Sequence, residues 1–386
     1  MTSTQNLAVG AAQAPADRFT AAGTWERAGG EWSSGSKAAL CCVRVIAETH
    51  DVKTFVFIPP DGIPLCHEPG QFITLALDID GQQLSRCYTL SSAPTRPFTL
   101  SITVKRVPGG SVSNWLHDNV QPGMRLMAYG PAGMFTPQQH PARKLLYLSA
   151  GSGITPLMSM SRASLDLGLD RDIAFLHSAR SPADIIFRHE LRDMAQASSA
   201  FRPVFLCESQ GDEAEWTQPL GRISLALLQQ LVPDFLAREV FVCGPAGYMK
   251  AVQHMLLQGG HDPARYHQES FDFASLAAEG AATATAEPAT AAADEATAPP
   301  CYTVHLQRSA RSFTMDSSQT VLQAARKAGV AVPSSCNSGM CGTCKTMLLV
   351  GEVVMQHNGG IRPREIDKGM RLLCCSRPAS DLVLDL

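Results

Sequence analysis

The chain has 386 residues, a formal net charge of -3, 45% hydrophobic residues and 17% charged ones. That length is too great for one ordinary domain and comfortable for three of about 100–200 residues each, in a composition suited to buried cores. No polybasic block points to nucleic acid or an anionic membrane, no apolar run reaches the roughly 20 residues of a membrane span, and no export signal opens the chain, so a cytoplasmic protein is expected.

Residues 1–37 are rich in Ala, Gly, Ser and Thr without sustained period and read for the most part as a mobile tail, with Trp25 and Trp32 as exceptions suited to anchor part of it to a surface. From Leu40 short strands follow one another: 41–48, 54–58, 71–77, 86–90, 98–104 and 125–129, divided by turn signals such as Pro59-Pro60-Asp61-Gly62 and Asp80-Gly81. Their even spacing predicts an antiparallel β-barrel over 38–140. One helix, 111–119, interrupts them, with Ser111 expected as its cap.

At Lys144 the rhythm becomes strand and helix in alternation, which predicts a parallel sheet with crossover helices over 141–273. Strands are expected at 145–150, 172–178, 201–208, 239–243 and 265–273, and helices at 155–167, 185–195, 224–231 and 246–258. Residues 274–300, dominated by Ala, Thr, Glu and Pro, read as an extended linker. The remainder, 301–386, is expected to be a small α+β domain of β-grasp type: a hairpin over 302–316, a helix over 320–328, and strands at 345–349 and 382–386.

This last domain holds the most specific signal, Cys336-x4-Cys341-x2-Cys344 with Cys374 near the chain end. Four thiolates suit a [2Fe-2S] cluster, because soft sulfur ligands complete the tetrahedra of two irons. Structural zinc usually shows two C-x2-C pairs, and here there is one. Gly339 and Gly342 let the loop curl toward the cluster sulfurs. Cys374 is preferred over its neighbour Cys375 as the fourth ligand, because the gap from Cys344 then matches the plant-type pattern; the one-residue ambiguity stands. Cys41, Cys42, Cys66, Cys87, Cys207 and Cys301 lie in or beside apolar runs and read as buried thiols.

Three further motifs bear on chemistry. Arg86-Cys87-Tyr88-Thr89 on a strand offers a cation for a pyrophosphate, an aromatic face and a hydroxyl, with Arg86 and Tyr88 on one side. Gly109-Gly110-Ser111-Val112-Ser113 opens a helix whose positive end suits phosphate. Gly151-Ser152-Gly153-Ile154-Thr155-Pro156 joins an apolar strand to a helix, where a parallel sheet places a nucleotide; the third glycine of the usual fingerprint is missing, and no acidic residue ends the second strand. That strand runs into Arg180, which either receives a 2'-phosphate, favouring NADPH, or flanks the adenine ribose; NADH is preferred. Cys243-Gly244-Pro245 ends another strand and should reach the same edge, placing a thiol against a nicotinamide, and Glu269 is expected near it. For His267 a plain surface residue is an equal reading.

With these pieces in order, the chain from about Leu40 to Leu386 resembles the ferredoxin reductase superfamily, in the branch with a plant-type ferredoxin domain at its carboxyl end. The resemblance implies an FAD site at Arg86, Tyr88, Thr89, Gly110 and Ser113, a pyridine-nucleotide site at Gly151, Gly153, Thr155, Pro156, Arg180, Cys243 and Gly244, and a cluster on Cys336, Cys341, Cys344 and Cys374. Tyr88, Thr89, Cys243 and Glu269 are then the residues expected at the reacting atoms. The runs 48–55, 105–110, 113–119, 177–182 and 357–361 are similar to reductase components of glycine betaine monooxygenases. Such a resemblance implies an NADH-dependent enzyme that passes electrons through FAD and a [2Fe-2S] cluster to a Rieske-type oxygenase acting on a quaternary ammonium compound. Carnitine and stachydrine oxygenases and hybrid-cluster protein are the alternative acceptors, and a redox sensor without turnover is the least favoured reading.

Overall fold

In the computed structural model the described residues are 37–59, 64–270, 300–330, 344–357 and 363–386, with 332, 334, 339, 342 and 361. The expected tail to residue 36, with Trp25 and Trp32, and most of the expected linker lie outside them.

Strands β1 (Lys37–Thr49), β2 (Val52–Ile58), β3 (Phe72–Ile79), β4 (Gln82–Thr89), β5 (Leu100–Lys105) and β6 (Arg125–Ala132) form one antiparallel sheet in the order β4-β3-β6-β1-β2-β5. Alternate residues turn inward: Leu40 and Cys42, Phe55 and Phe57, Ile73 and Leu75, Leu100 and Ile102, Leu126 and Ala128 share one core. The period of two hides one face and leaves the other polar. Beyond β4 the chain bonds to β5, with Leu90 bridging Ile102 and Ser91 N–H donating to Ser101 O at 2.8 Å, which closes the sheet into the expected barrel.

Helix α1 (Ser111–Asn119) covers one end with Val112 and Leu116. Ser111 does not cap it: the N-cap is Gly110, without a side-chain bond. Ser113 is occupied instead with the incoming loop, accepting from Val107 N–H at 3.1 Å.

The second sheet contains β7 (Lys144–Ala150), β8 (Asp172–Ala179), β9 (Phe201–Cys207), β10 (Glu239–Gly244) and β11 (Tyr266–Ser270), in the order β11-β10-β7-β8-β9. Every pair is parallel. Its central strands are apolar on both faces because both are covered. Tyr147, Phe175 and Phe241 pack on one side with α2 (Ile154–Asp166) and α3 (Arg188–Ala197); Leu146, Leu176 and Val242 pack on the other with α4 (Leu225–Leu231) and α5 (Ala246–Gln258). The third helix starts later than the sequence suggests. Ile185, Ile186 and Phe187 are drawn into the core, and Phe187 enters α3 at φ 58, so burial of three apolar side chains outweighs an earlier helical turn.

Chain order places β7 between β8 and β10, so the connections leave it in opposite directions and a crevice opens at the carboxyl ends of β7 and β10. The barrel is seated against this domain by α2. Ser159 Oγ donates to Ser92 O at 2.6 Å, Arg162 Nη1 donates to Ser91 O, and Arg96 pairs with Asp166 at 2.9 Å.

The third region has a mixed sheet in the order β13-β12-β18-β14-β16, from β12 (Cys301–Leu306), β13 (Arg311–Asp316), β14 (Lys345–Val350), β16 (Met370–Leu372) and β18 (Leu382–Leu384). Only β12 and β18 run parallel among its described pairs. Helix α6 (Val321–Lys327) lies on it, held at its start by a reciprocal capping box of Thr320 and Gln323, and sends Val321, Ala324 and Ala325 into the core with Val304, Leu306, Leu372 and Leu384. The sequence reading missed β15 (Val353–Met355), β16, β17 (Ser376–Pro378) and α7 (Pro363–Asp367), all too short to show a period. Of the six cysteines read as buried thiols, Cys42 and Cys207 are buried, Cys41, Cys66 and Cys87 are half-buried, and Cys301, on the outer face where its sheet begins, is exposed.

Candidate functional site: a two-domain junction and a cysteine centre

The loops after β7 and β10 meet at the crevice. Gly153 lies so close to β10 that a Cβ there would sit 2.3 Å from the Cys243 carbonyl oxygen, so only glycine permits the approach. Gly151, at φ +53, turns the chain out of β7 with open space beside it. Thr155 Oγ1 donates to Ser152 O at 3.1 Å and fixes this turn, and Pro156 is buried within the first turn of α2. The start of α2 is thereby aimed at the crevice with Gly151 as an uncovered backbone surface, an arrangement that fits a pyrophosphate.

Register in β10 and β11 sets Cys243 opposite Glu269. Cys243 is fully buried, and burial, followed by the nearby Glu269, pushes its thiol well above the ordinary range. Burial raises the Glu269 carboxyl to about 8, with Cys87 of the barrel the next cause, so β4 and β11 converge here across the domain boundary. Glu269 Oε2 and Thr89 Oγ1 are both buried without a hydrogen-bond partner among the described residues. Buried polar atoms are normally satisfied, so two orphans on facing elements fit a polar group of a bound ligand between them.

On β4, Arg86 and Tyr88 stand two residues apart and therefore on one side, as expected; they oppose Leu75 and Ile73. Tyr88 packs on the barrel core, and burial pushes its phenol up. Arg86 Nη1 donates to Ser85 O at 2.8 Å. Gly110 allows the turn into α1: a Cβ would lie 2.8 Å from Ser113 Oγ. At this helix start the backbone N–H groups are the donors suited to an anion, while the Ser113 hydroxyl is committed to Val107.

Arg180 lies apart from the Glu269 cluster and is tied to carboxylates. Its Nη2 is 2.5 Å from Asp184 Oδ1 and 3.5 Å from Asp51 Oδ2, the latter on the barrel. Ser181 Oγ donates to the second oxygen of Asp184 at 2.7 Å. Sequence reasoning missed Asp51 and Asp184 because nothing local marks them as partners of Arg180. It also missed His177 as a buried group: its Nδ1 pairs with Ser149 Oγ at 2.8 Å, and burial lowers its pKa to about 3, so the ring is neutral.

In the third region, Cys344 and Cys374 are 2% and 6% exposed, and Cys374 N–H lies 3.4 Å from Cys344 Sγ. Gly339 N–H donates to Cys374 Sγ at 3.2 Å, which stabilises negative charge on that sulfur. Cys336 and Cys341 lie outside the described residues. Cys375 Sγ instead donates to Leu372 O at 3.6 Å, and a Cβ on Gly339 would be 2.7 Å from its sulfur. The two described thiols of the expected set are thus adjacent, buried and met by N–H donors, which fits an anionic iron-sulfur group.

Residues 42–136 match an oxidoreductase FAD-binding domain, 147–254 an oxidoreductase NAD-binding domain, and 304–379 a 2Fe-2S iron-sulfur cluster binding domain. The chain is 44% identical over 363 residues to the glycine betaine monooxygenase reductase subunit of Pseudomonas aeruginosa, covering 92% of this chain and 96% of that protein. It is 40% identical over 351 residues to the stachydrine N-demethylase reductase subunit of Rhizobium meliloti, covering 90% and 95%. Phthalate dioxygenase reductase has the same fold over 91% of this chain and 98% of its own, with a TM-score of 0.55 and 28% identity. No helix among the described residues is long and apolar enough to cross a membrane. With three cofactor-binding domains in one order and this similarity over nine-tenths of its length, the chain belongs to the family of monooxygenase reductase subunits and is an FAD-, NAD- and 2Fe-2S-binding oxidoreductase.

Proposed function

We propose that this protein carries electrons from NADH to a Rieske-type oxygenase that demethylates glycine betaine or a close quaternary ammonium analogue, in the cytoplasm where the nucleotide pool lies. The observation that carries the reading is the 44% identity spread over 92% of the chain. The 40% identity to a stachydrine N-demethylase subunit favours a methylated proline as the second substrate to test.

When bound, the nicotinamide supplies a hydride, the flavin takes two electrons and gives them singly, and the cluster carries one at a time. The chain's own groups position these partners. Gly151, Gly153 and the start of α2 would receive the nucleotide pyrophosphate; Cys243 and Gly244 would wall the nicotinamide; Arg86, Gly110 and the start of α1 would hold the flavin pyrophosphate, and Tyr88 would offer its ring to the flavin. Thr89 Oγ1 and Glu269 Oε2 offer their unmatched polar atoms to the reacting edge, and Glu269, neutral below about pH 8, presents a proton rather than a charge there. The burial of Cys243 and Thr89 would limit water beside a bound nicotinamide and flavin. Cys336, Cys341, Cys344 and Cys374 hold the cluster, with Gly339 N–H tuning it.

Arg180 is already neutralised by Asp184 and Asp51, and a 2'-phosphate beside these carboxylates meets like charge, which supports NADH over NADPH. Accordingly, Asp184→Asn should lower KM for NADPH more than for NADH.

An anaerobic NADH titration should bleach the flavin and then the iron-sulfur bands. Adding a glycine betaine Rieske oxygenase with substrate should yield NADH-dependent formaldehyde. Cluster reduction without formaldehyde from either glycine betaine or stachydrine systems would remove the proposed acceptor while leaving the electron path in place.

A further inference from the structure

At the edge of the parallel sheet opposite the nucleotide crevice, the connector between barrel and sheet folds over the starts of β10 and β11. It brings His140 onto the ring of His267, with centroids 3.5 Å apart and planes 21° from parallel. Glu239, the first residue of β10, places Oε1 2.6 Å from His267 Nε2, while its other oxygen accepts from Arg265 at 3.2 Å. One ligand atom from each of His140, Glu239 and His267 lies within 4.8 Å of the others. The side chains of Glu239 and His267 are only 14% and 12% exposed, and Phe241 and Phe135 form an apolar wall beside them.

We propose that His140, Glu239 and His267 form a site for a borderline-soft divalent cation, zinc being the probe. Two imidazoles and one carboxylate are the donor set of zinc, cobalt or nickel rather than of calcium or magnesium, which take oxygen ligands. Glu239 and His267 come from adjacent parallel strands and are fixed by register, with His267 opposite Phe241 two residues beyond Glu239. The ion takes the place of the proton shared by His267 Nε2 and Glu239 Oε1, and that proton leaves to solvent. His140 lies on the connector, and its ring turns out of the stack to point its nitrogen at the ion, since no ion can lie in both ring planes as they stand. Water completes the tetrahedron on the exposed side. Three ligands from the connector and two strands then pin the passage between the flavin and nucleotide domains to the sheet. The other such cluster among the described residues, His50, Asp51 and Asp184, has a single, exposed imidazole and both of its carboxylates paired with Arg180, whereas Arg265 takes only the Oε2 of Glu239.

The test is equilibrium dialysis of the cofactor-loaded full chain against zinc, with zinc and iron measured in the same sample, and thermal midpoints followed in parallel. The parent should retain one zinc more per chain than His140→Asn or His267→Asn with its iron unchanged. Zinc affinity should fall about tenfold or more in each variant. Zinc should raise the parent's midpoint and not theirs. His254→Asn, on the exposed side of α5, should behave as the parent. Equal zinc in parent and both site variants, or zinc gained only as iron is lost, would overturn the site. His140→Asn removes a ligand from the connector and leaves both strands intact, so misfolding does not mask the result.

Discussion

The junction between barrel and parallel sheet and the cysteine centre of the last domain solve two different problems of placement. The junction draws Cys87 and Thr89, Gly153, Cys243 and Glu269 from three remote parts of the chain. Helix α2 seats one domain on the other through its bonds to Ser91 and Ser92, with the exposed Arg96–Asp166 pair beside them. The cysteine centre draws three of its expected ligands from one short stretch of sequence and the fourth from the turn after β16. A hydride donor and its acceptor must be held face to face, which suits a junction of two domains; the four cysteines expected to hold the cluster all fall within the one region that matches a 2Fe-2S binding domain.

This contrast can be broken first at the cysteines. Replacing Cys344 with serine should lower NADH-dependent reduction of cytochrome c by about a hundredfold or more, while reduction of ferricyanide, served directly by the flavin, stays near the parent rate. Equal loss of both would mean that the two centres are not separable.

At the junction, Glu269→Gln tests the buried carboxyl. Burial raises the Glu269 carboxyl from its ordinary 4.5 to about 8 in the folded state, so the folded state keeps a proton that the unfolded state releases. Stability therefore falls as pH rises between these values. The variant and parent should match near pH 4.5, and the variant should become more stable by on the order of a few kcal/mol toward pH 8. Denaturant midpoints across that range read the difference, and a gap independent of pH would place the carboxyl in a polar setting.

Gly153→Ala forces a methyl against the Cys243 carbonyl and should cost about 1–3 kcal/mol, with KM for NADH raised more than kcat is lowered. An unchanged KM would separate this approach from nucleotide binding. The smallest effect is expected for Arg96→Ala. Its pair with Asp166 is 57% and 25% exposed, so the thermal unfolding free energy should change by about 0.2–1 kcal/mol. A larger loss would show that the domains depend on this pair to dock.

Period and spacing were enough for the elements that bury one face repeatedly. The barrel strands alternate, the central strands of the parallel sheet are uniformly apolar, and α1 and α5 begin and end where the sequence predicts. Short elements such as β15, β16 and β17 carry no such pattern. Their places follow from pairing, as β17 with β15 and β16 with β14. Ser111 shows the limit of a local rule: its residue type suits a cap, yet Gly110 occupies the cap position and Asn114 donates to its carbonyl at 2.7 Å.

The sequence by itself determined an FAD-, an NAD- and a 2Fe-2S-binding domain in that order, because turn chemistry, strand period and cysteine spacing are local properties. Only the tertiary structure decided what each residue faces. It set Glu269 between Cys243 and Cys87, paired Arg180 with Asp51 of the other domain, stacked His140 on His267, and buried Arg238 against Asp172. Each of these contacts joins residues from different elements, and a single sequence has no term for the packing that selects them.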